Sequence, residues 1–169
     1  MKIYDCFTFN DENNILEIRL NELNQYVDFF VIIEFGENHQ GKKKGKKINE
    51  KIFENFKDKI RYIYIEKFNK NMSSWERENY QRNYIQNGLY DANQDDIIII
   101  SDLDEIPNLK QVNLNDIGNS VYAFKQINSM YKFNLVRDFN WFGSKLCKLK
   151  NLKSPQWLRS LKVHKKYNY

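Results

Sequence analysis

Four consecutive isoleucines, Ile97 to Ile100, constrain this chain more than any other feature. β-Branched residues in succession disfavour a helix, and an all-apolar run points side chains to both faces of a pleated ribbon. It therefore reads as a strand covered on both sides, the kind found in parallel sheets packed between helices. A second run, Phe29 to Ile33, is continuous in the same way. Ile3 to Phe7 reads as a further strand, ended by the capping residues Asn10-Asp11. From Asp11 to Gln25, the residues Ile15, Leu16, Ile18, Leu20 and Leu23 recur mainly at three- and four-residue steps, giving one apolar helix face. Ile48 to Phe56 reads as a short helix and Ile60 to Ile65 as another strand. Ser73 or Ser74 caps a polar helix running to about Ala92, with Glu76 and Glu78 in its early turns. This alternation predicts an α/β fold with a central, mostly parallel sheet flanked by helices and Ile97 to Ile100 at its centre. Its ligand crevice is expected at the carboxyl ends of the strands.

Beyond Pro107 the texture changes. Val121 to Phe124, Met130 to Val136 and Lys145 to Leu149 read as strands with few helices between them, so the C-terminal half is expected to be antiparallel. With 169 residues, 41% hydrophobic and 15% aromatic, and only 6 Gly and 2 Pro, the chain is no collagen, linker or disordered segment. No repeat or composition break divides it, so residues 1–169 are expected to form one domain. The longest apolar run is far below the roughly 20 residues of a bilayer span. The N-terminus enters a charged segment at once, so neither a span nor a signal peptide is expected. Cys6 and Cys147 are too few for a disulfide framework and too isolated for zinc, which suggests buried thiols in a reducing, cytoplasmic setting.

The net charge of +5 is concentrated at Gly41-Lys42-Lys43-Lys44-Gly45-Lys46-Lys47. Such a loop is either solvated or suited to a phosphate-bearing partner: a nucleotide diphosphate, a nucleic acid or an anionic membrane surface. A second basic run, Lys162 to Lys166, together with Trp141, Phe142 and Trp157, suits a peripheral membrane contact or ordinary packing.

The chemistry is expected at Ser101-Asp102-Leu103-Asp104-Glu105, directly after the isoleucine strand. In an extended segment residues two apart point the same way, so Asp102 and Asp104 are expected to project together into the crevice. Two convergent carboxylates form a hard oxygen site for Mg²⁺ or Mn²⁺, which can bridge to a diphosphate. Pro107 ends the strand and leaves the acids on a stiff turn. On the preceding helix Arg82 follows Glu78 by four residues, and its planar fork either holds a phosphate or makes an intrahelical ion pair.

Tyr4-Asp5-Cys6-Phe7, Leu16 to Leu23, Val31-Ile32-Ile33-Glu34 with His39-Gln40-Gly41-Lys42, Arg77-Glu78 through Gln81-Arg82-Asn83 and Gly88-Leu89, and Ile100 to Pro107 together resemble glycosyltransferase family 17 in order and spacing. The likeness is close over about the first 110 residues and weaker through Trp141-Phe142-Gly143 to Arg159. It implies a GT-A-like, Rossmann-type nucleotide-sugar fold. It also implies inverting transfer of a sugar, N-acetylglucosamine from UDP-N-acetylglucosamine foremost, to a glycan acceptor with Mn²⁺ or Mg²⁺. Under the resemblance Asp104 is the principal metal ligand, and Asp102 touches the metal shell or the donor ribose. Glu105 supports the loop or faces the donor sugar, Glu34 contacts the nucleoside, and Arg82 with Asn83 lies near the nucleotide. Residues 1–107 then form the donor half and 108–169 a shortened acceptor half.

The family pattern continues into a Gly-Trp-His-Phe type segment that these residues do not contain, and His164 within Lys162 to Lys166 does not match it. The resemblance is thus to a short or C-terminally truncated member. Asp138 and Glu105 stand as candidates for the general base that inverting transfer needs. Two other functions stay open: a nucleotide-sugar-binding module without catalysis, and, less favoured, a basic nucleic-acid-binding protein built on the lysine loop. A phosphatase of the haloacid dehalogenase kind is disfavoured, because its nucleophilic Asp-x-Asp follows the first strand, which here ends in Asp5-Cys6-Phe7.

Overall fold

The computed structural model of the chain describes residues 1–69, 71–129, 135–137 and 139–163. One six-stranded sheet organises them: β1 (Ile3–Phe9), β2 (Phe29–Phe35), β3 (Ile60–Ile65), β4 (Ile97–Ile100), β5 (Tyr122–Ala123) and β6 (Lys145–Lys148). Their order across the sheet is β3-β2-β1-β4-β6-β5. The first four strands are parallel, with Cys6 of β1 opposite both Val31 of β2 and Ile100 of β4. β6 runs antiparallel to β4, and β5 antiparallel to β6. The fold is thus α/β, parallel in its first half and antiparallel in its second, with β1 and β4 sharing the centre.

All four isoleucines of β4 are fully buried, as a strand covered on both sides requires. Ile97 and Ile99 join Phe7, Phe30 and Ile32 on one face, under Leu16, Leu20 and Leu23 of α1 (Asn13–Leu23). Ile98 and Ile100 join Cys6, Val31 and Ile33 on the other, under Ile85 and Leu89 and under Leu158 of α3 (Pro155–Ser160). Cys6 and Cys147 are free and buried, and burial pushes the Cys147 thiol up to about 12 and that of Cys6 well above its ordinary range.

Three local expectations shift. Ile18 lies on the outer side of α1, 49% exposed, while the inward stripe at three- and four-residue steps is Leu16, Arg19, Leu20 and Leu23. The short segment before β3 is a 3₁₀ helix, Glu50–Phe56. The polar helix α2 (Ser74–Asn83) starts at a capping box between Ser73 and Glu76 but gives way to a 3₁₀ helix at Tyr84–Leu89. That tighter segment lies against β2 so closely that a Cβ on Gly88 would meet Val31 Cγ1 at 2.3 Å.

Of the strand expected over Met130 to Val136, residues 130–134 lie outside the described residues. Val136 makes an antiparallel bridge with Ser129, and Trp141 makes another with Gln126. Among the described residues no helix is long and apolar enough to cross a membrane.

The topology fixes where a ligand can sit. β1 is followed on one side by β2 and β3, and α2 then returns the chain to β4 on the other side of β1. The strand order therefore reverses between β1 and β4, which opens a crevice at their carboxyl ends.

Candidate functional site

A cavity of about 970 Å³ lies at that crevice. Its wall comes from Thr8, Phe9 and Asn10 at the end of β1 and from Asn38, His39 and Gln40 after β2. Glu78, Gln81 and Arg82 of α2, and Asp102 with Asp104 after β4, complete it. The volume matches the range of about 300–1,000 Å³ usual for small-molecule sites.

Asp102 and Asp104 both reach the cavity, although not by strand alternation. β4 stops at Ile100, and residues 102–105 form a turn in which the Glu105 N–H donates to the Asp102 carbonyl at 3.1 Å. The Asp102 N–H donates in return to Glu105 Oε2 at 3.0 Å. The two aspartates then differ in kind. Asp102 accepts from Arg82 Nη2 on Oδ1 at 2.9 Å and from Arg159 Nη2 on Oδ2 at 2.8 Å. Burial would raise its carboxyl, but the Arg159 and Arg82 guanidiniums outweigh burial and hold it below the usual carboxylate range. Asp104 is exposed to the cavity and makes no ion pair among the described residues.

Glu105 turns away from the cavity. It is 8% exposed, and its Oε1 accepts from Trp141 Nε1 at 2.7 Å and from Arg159 Nη2 at 2.8 Å. Gly143 makes this placement feasible, since a Cβ there would lie 2.1 Å from the Glu105 carboxylate. Of its two expected roles, Glu105 supports the loop; with both oxygens engaged it is not positioned as a base. Asp138, the other candidate base, and His164 lie outside the described residues.

Beneath the turn lies a pair that spacing alone did not single out. Arg19 of α1 and Asp5 of β1 are both fully buried and bidentate, with Nε to Oδ2 at 2.8 Å and Nη2 to Oδ1 at 2.7 Å. The remaining Arg19 donors hold the acidic turn: Nη2 to Ser101 Oγ at 2.6 Å, and Nη1 to the carbonyls of Asp102 and Leu103 at 2.9 and 3.0 Å. An arginine on an otherwise apolar helix stripe, with an aspartate in an apolar strand, was the available signal.

The chain beyond β5 clasps the turn from the other side. Ser144 Oγ donates to the Glu105 carbonyl at 2.5 Å. Lys145, 3% exposed, donates to the carbonyls of Phe142 and Arg159, and burial with the nearby Arg159 charge lowers its ammonium to about 8. Arg82 also donates to Gln156 of α3 and to Glu78.

Two expected contacts depart from their assigned places. Glu34 is fully buried and does not line the cavity. In β2 it shares a face with Phe30 and Ile32, where Lys44 Nζ, the Lys47 N–H and the Tyr62 hydroxyl donate to its carboxylate at 2.7 to 2.9 Å. The basic loop is thereby partly turned inward, with Lys44 on Glu34 and Lys46 on Glu50. Asn83 spends its Oδ1 on the Gln156 N–H at 2.9 Å and also does not line the cavity, whereas Arg82 does.

The sequence model of glycosyltransferase family 17 matches residues 1–154. The chain is similar to the β-1,4-mannosyl-glycoprotein 4-β-N-acetylglucosaminyltransferases of Rattus norvegicus and Homo sapiens, at 29% identity over 145 residues in each case. The mouse protein of the same name is 28% identical over 145 residues. These alignments cover 78% of this chain and 27% of each relative, so the chain spans about a quarter of the length of the curated relatives it matches. A family match across nearly the whole described chain, on a mixed sheet whose acidic turn opens into the switch-point cavity, places the protein: it belongs to glycosyltransferase family 17.

Proposed function

We propose that the chain transfers a sugar from a nucleotide-sugar donor, UDP-N-acetylglucosamine foremost, to a glycan acceptor, with inversion, in a GT-A-like fold. The observation that carries this reading is the uncommitted Asp104 carboxylate beside the Arg82–Asp102–Arg159 cluster, at the point of the sheet where α/β folds hold phosphates. The donor set suits Mn²⁺ or Mg²⁺ bound in the open manner. Such ions accept one or two carboxylates, keep several waters and complete their shell with phosphate oxygens. Among the described residues no group of three or more His, Cys, Asp and Glu forms a closed cage, so Asp104 is the residue that would hold the cation. When bound, the cation supplies neutralisation of the departing diphosphate.

The chain's own residues supply the rest. Arg82 and Arg159 are held in fixed orientation by the two oxygens of Asp102, so the Arg82 guanidinium stands at the cavity wall before any ligand arrives, with Arg159 behind Asp102. Donors that need no reorganisation are the ones that stabilise charge developing on a leaving group. Glu105, Trp141 and Ser144 keep the turn from relaxing.

Calorimetric titration of UDP-N-acetylglucosamine and UDP, with Mn²⁺ present or chelated, tests this on the wild type and on Asp104→Asn. Binding is expected to need Mn²⁺ and to weaken at least about tenfold in the variant, the equivalent of 1.4 kcal/mol. Equal binding with and without Mn²⁺, unchanged by Asp104→Asn, would remove the cation from the proposal. Absence of any binding would remove the donor site. Release of UDP in the presence of a mannose-containing glycan then separates transfer from binding alone.

A further inference from the structure

The loop after β2 is fixed from several sides. Asn38 Oδ1 accepts from the N–H groups of Gln40 and Lys42 at 3.1 and 2.9 Å. Gly41 turns the chain at φ 77°, and Arg77 of α2 donates to the His39 carbonyl at 3.1 Å. The His39 imidazole therefore stands at the cavity wall, with Phe68 at 6.3 Å between ring centroids.

Its Nε2 lies 2.8 Å from Gln81 Oε1. Gln81 Nε2 is 3.2 Å from the Ile33 carbonyl and 3.5 Å from that of Phe9. Carbonyls only accept, so the amide nitrogen belongs on that side and the amide oxygen faces His39. An amide oxygen also only accepts. In its neutral form the ring therefore carries its proton on Nε2, which leaves the Nδ1 lone pair with no partner among the described residues.

We propose that His39 Nδ1 reads the nucleobase of the donor by accepting from a ring N–H on the base's pairing edge. This rests on the nucleotide-sugar reading above. Uracil and guanine carry such an N–H at the centre of that edge, whereas cytosine and adenine present a lone pair there and meet Nδ1 acceptor to acceptor. The order of groups along the cavity gives the orientation. His39 and Gln81 stand at the β2 side, and Arg82, Asp102 and Asp104 at the β4 side. A nucleoside diphosphate with its phosphates toward Arg82 and Asp104 thus directs its base toward β2. A site that fixes one acceptor in advance rejects the wrong base by leaving polar groups unpaired. His39 thereby takes the recognition role expected of Glu34, which is buried in β2 and does not line the cavity.

The test is a titration panel of UDP, GDP, CDP and ADP with Mn²⁺ on the wild type, His39→Phe and His39→Asn, with pyrophosphate as the probe of the phosphate end. The wild type is expected to favour UDP or GDP over CDP and ADP by roughly ten- to a hundredfold, and the UDP-to-GDP ratio identifies which base is read. His39→Phe keeps a ring against Phe68 but removes the acceptor, so the preference should collapse while pyrophosphate binds as before. His39→Asn keeps an amide oxygen near the place of Nδ1 and should restore part of the preference. Unchanged base preference in His39→Phe overturns the inference and leaves the donor site intact. Pyrophosphate binding with no wild-type affinity for any of the four nucleotides overturns the nucleotide-sugar reading and this inference with it.

Discussion

Removing Arg19 should unfasten the acidic turn and the core beneath it together. Arg19→Met leaves the Asp5 carboxylate buried without its cation, and it deprives Ser101 Oγ and the Asp102 and Leu103 carbonyls of their donors. Breaking one side of a buried ion pair costs about 3–5 kcal/mol. Each buried carbonyl left unpaired adds roughly 1–3 kcal/mol, although a surface turn can move outward and recover water. The expected loss is therefore about 4 kcal/mol, a large share of the roughly 5–15 kcal/mol that holds a domain of this kind together. Asp5→Leu should cost a similar amount, by stranding the guanidinium. The double variant strands no charge, and apolar replacement of a buried pair is often near neutral, so it should be more stable than the sum of the single losses by about 3 kcal/mol.

Urea unfolding followed by circular dichroism on the four proteins measures this cycle. Additivity within about 0.5 kcal/mol would refute the coupling. A loss below about 1 kcal/mol for Arg19→Met alone would show that the pair does not hold the core at all. Ligand binding supplies an independent readout. The double variant regains its core but not the donors to the turn, so it should fold and still bind UDP with Mn²⁺ more weakly than the wild type.

The remaining predictions concern close packing and one titration. Gly143→Ala should displace the Glu105 carboxylate, which a Cβ would approach to 2.1 Å, and lower stability by about 2–4 kcal/mol in urea while weakening nucleotide binding. Gly88→Ala, which places a Cβ 2.3 Å from Val31 Cγ1, should cost about 1–3 kcal/mol from overpacking and leave the nucleotide affinity of the folded protein unchanged. Lys145 has its ammonium lowered from 10.5 to about 8 by burial and the Arg159 charge, so between those values the unfolded chain holds the proton that the folded chain has released. Stability of the wild type relative to Lys145→Met should therefore rise with pH from about 8 to 10.5, read as the difference in urea midpoints; a flat or falling difference would refute the burial argument.

Legibility in the sequence followed locality. The strands β1 to β4 were readable because each is a short run of residues whose burial is written in its own composition, as Ile97 to Ile100 shows. Asp102 and Asp104 were readable because strand ends at the switch point are where α/β sheets gather ligands, and Arg82 because it follows Glu78 by four residues on the helix before that strand. Glu34 misled for a related reason: the end of a strand says where the backbone arrives and nothing about which face takes the side chain, and here that face belongs to Tyr62 and the lysine loop. The contacts of Arg159 and Trp141 were not legible, although the weaker family likeness runs through both, since they reach Asp102 and Glu105 across sequence separations of 57 and 36 residues. The polar helix expected to run to about Ala92 instead gives way at Tyr84 to a 3₁₀ segment in which Gly88 lies against Val31 of β2, a tertiary contact that no helical pattern encodes.

The two aspartates that look equivalent in the sequence divide their charge between two tasks. Asp102 has two guanidiniums on its carboxylate and is held below the ordinary carboxylate range, so it stays anionic and keeps both cations in place throughout the neutral range. That pairing also keeps Arg82 and Arg159 from repelling each other, or a divalent cation, across a small cavity. Asp104, two residues further into the turn and bound to neither arginine, carries the charge left for the proposed cation. Had both carboxylates been free, the turn would concentrate two like charges with only a cation to relieve them; had both been paired, nothing would remain to hold that cation. The arrangement works only while the turn keeps its shape, and the groups that shape it come from α1, from the segment around Trp141 and Ser144, and from α3. Stability of the core and readiness of the site therefore rest on the same hydrogen bonds.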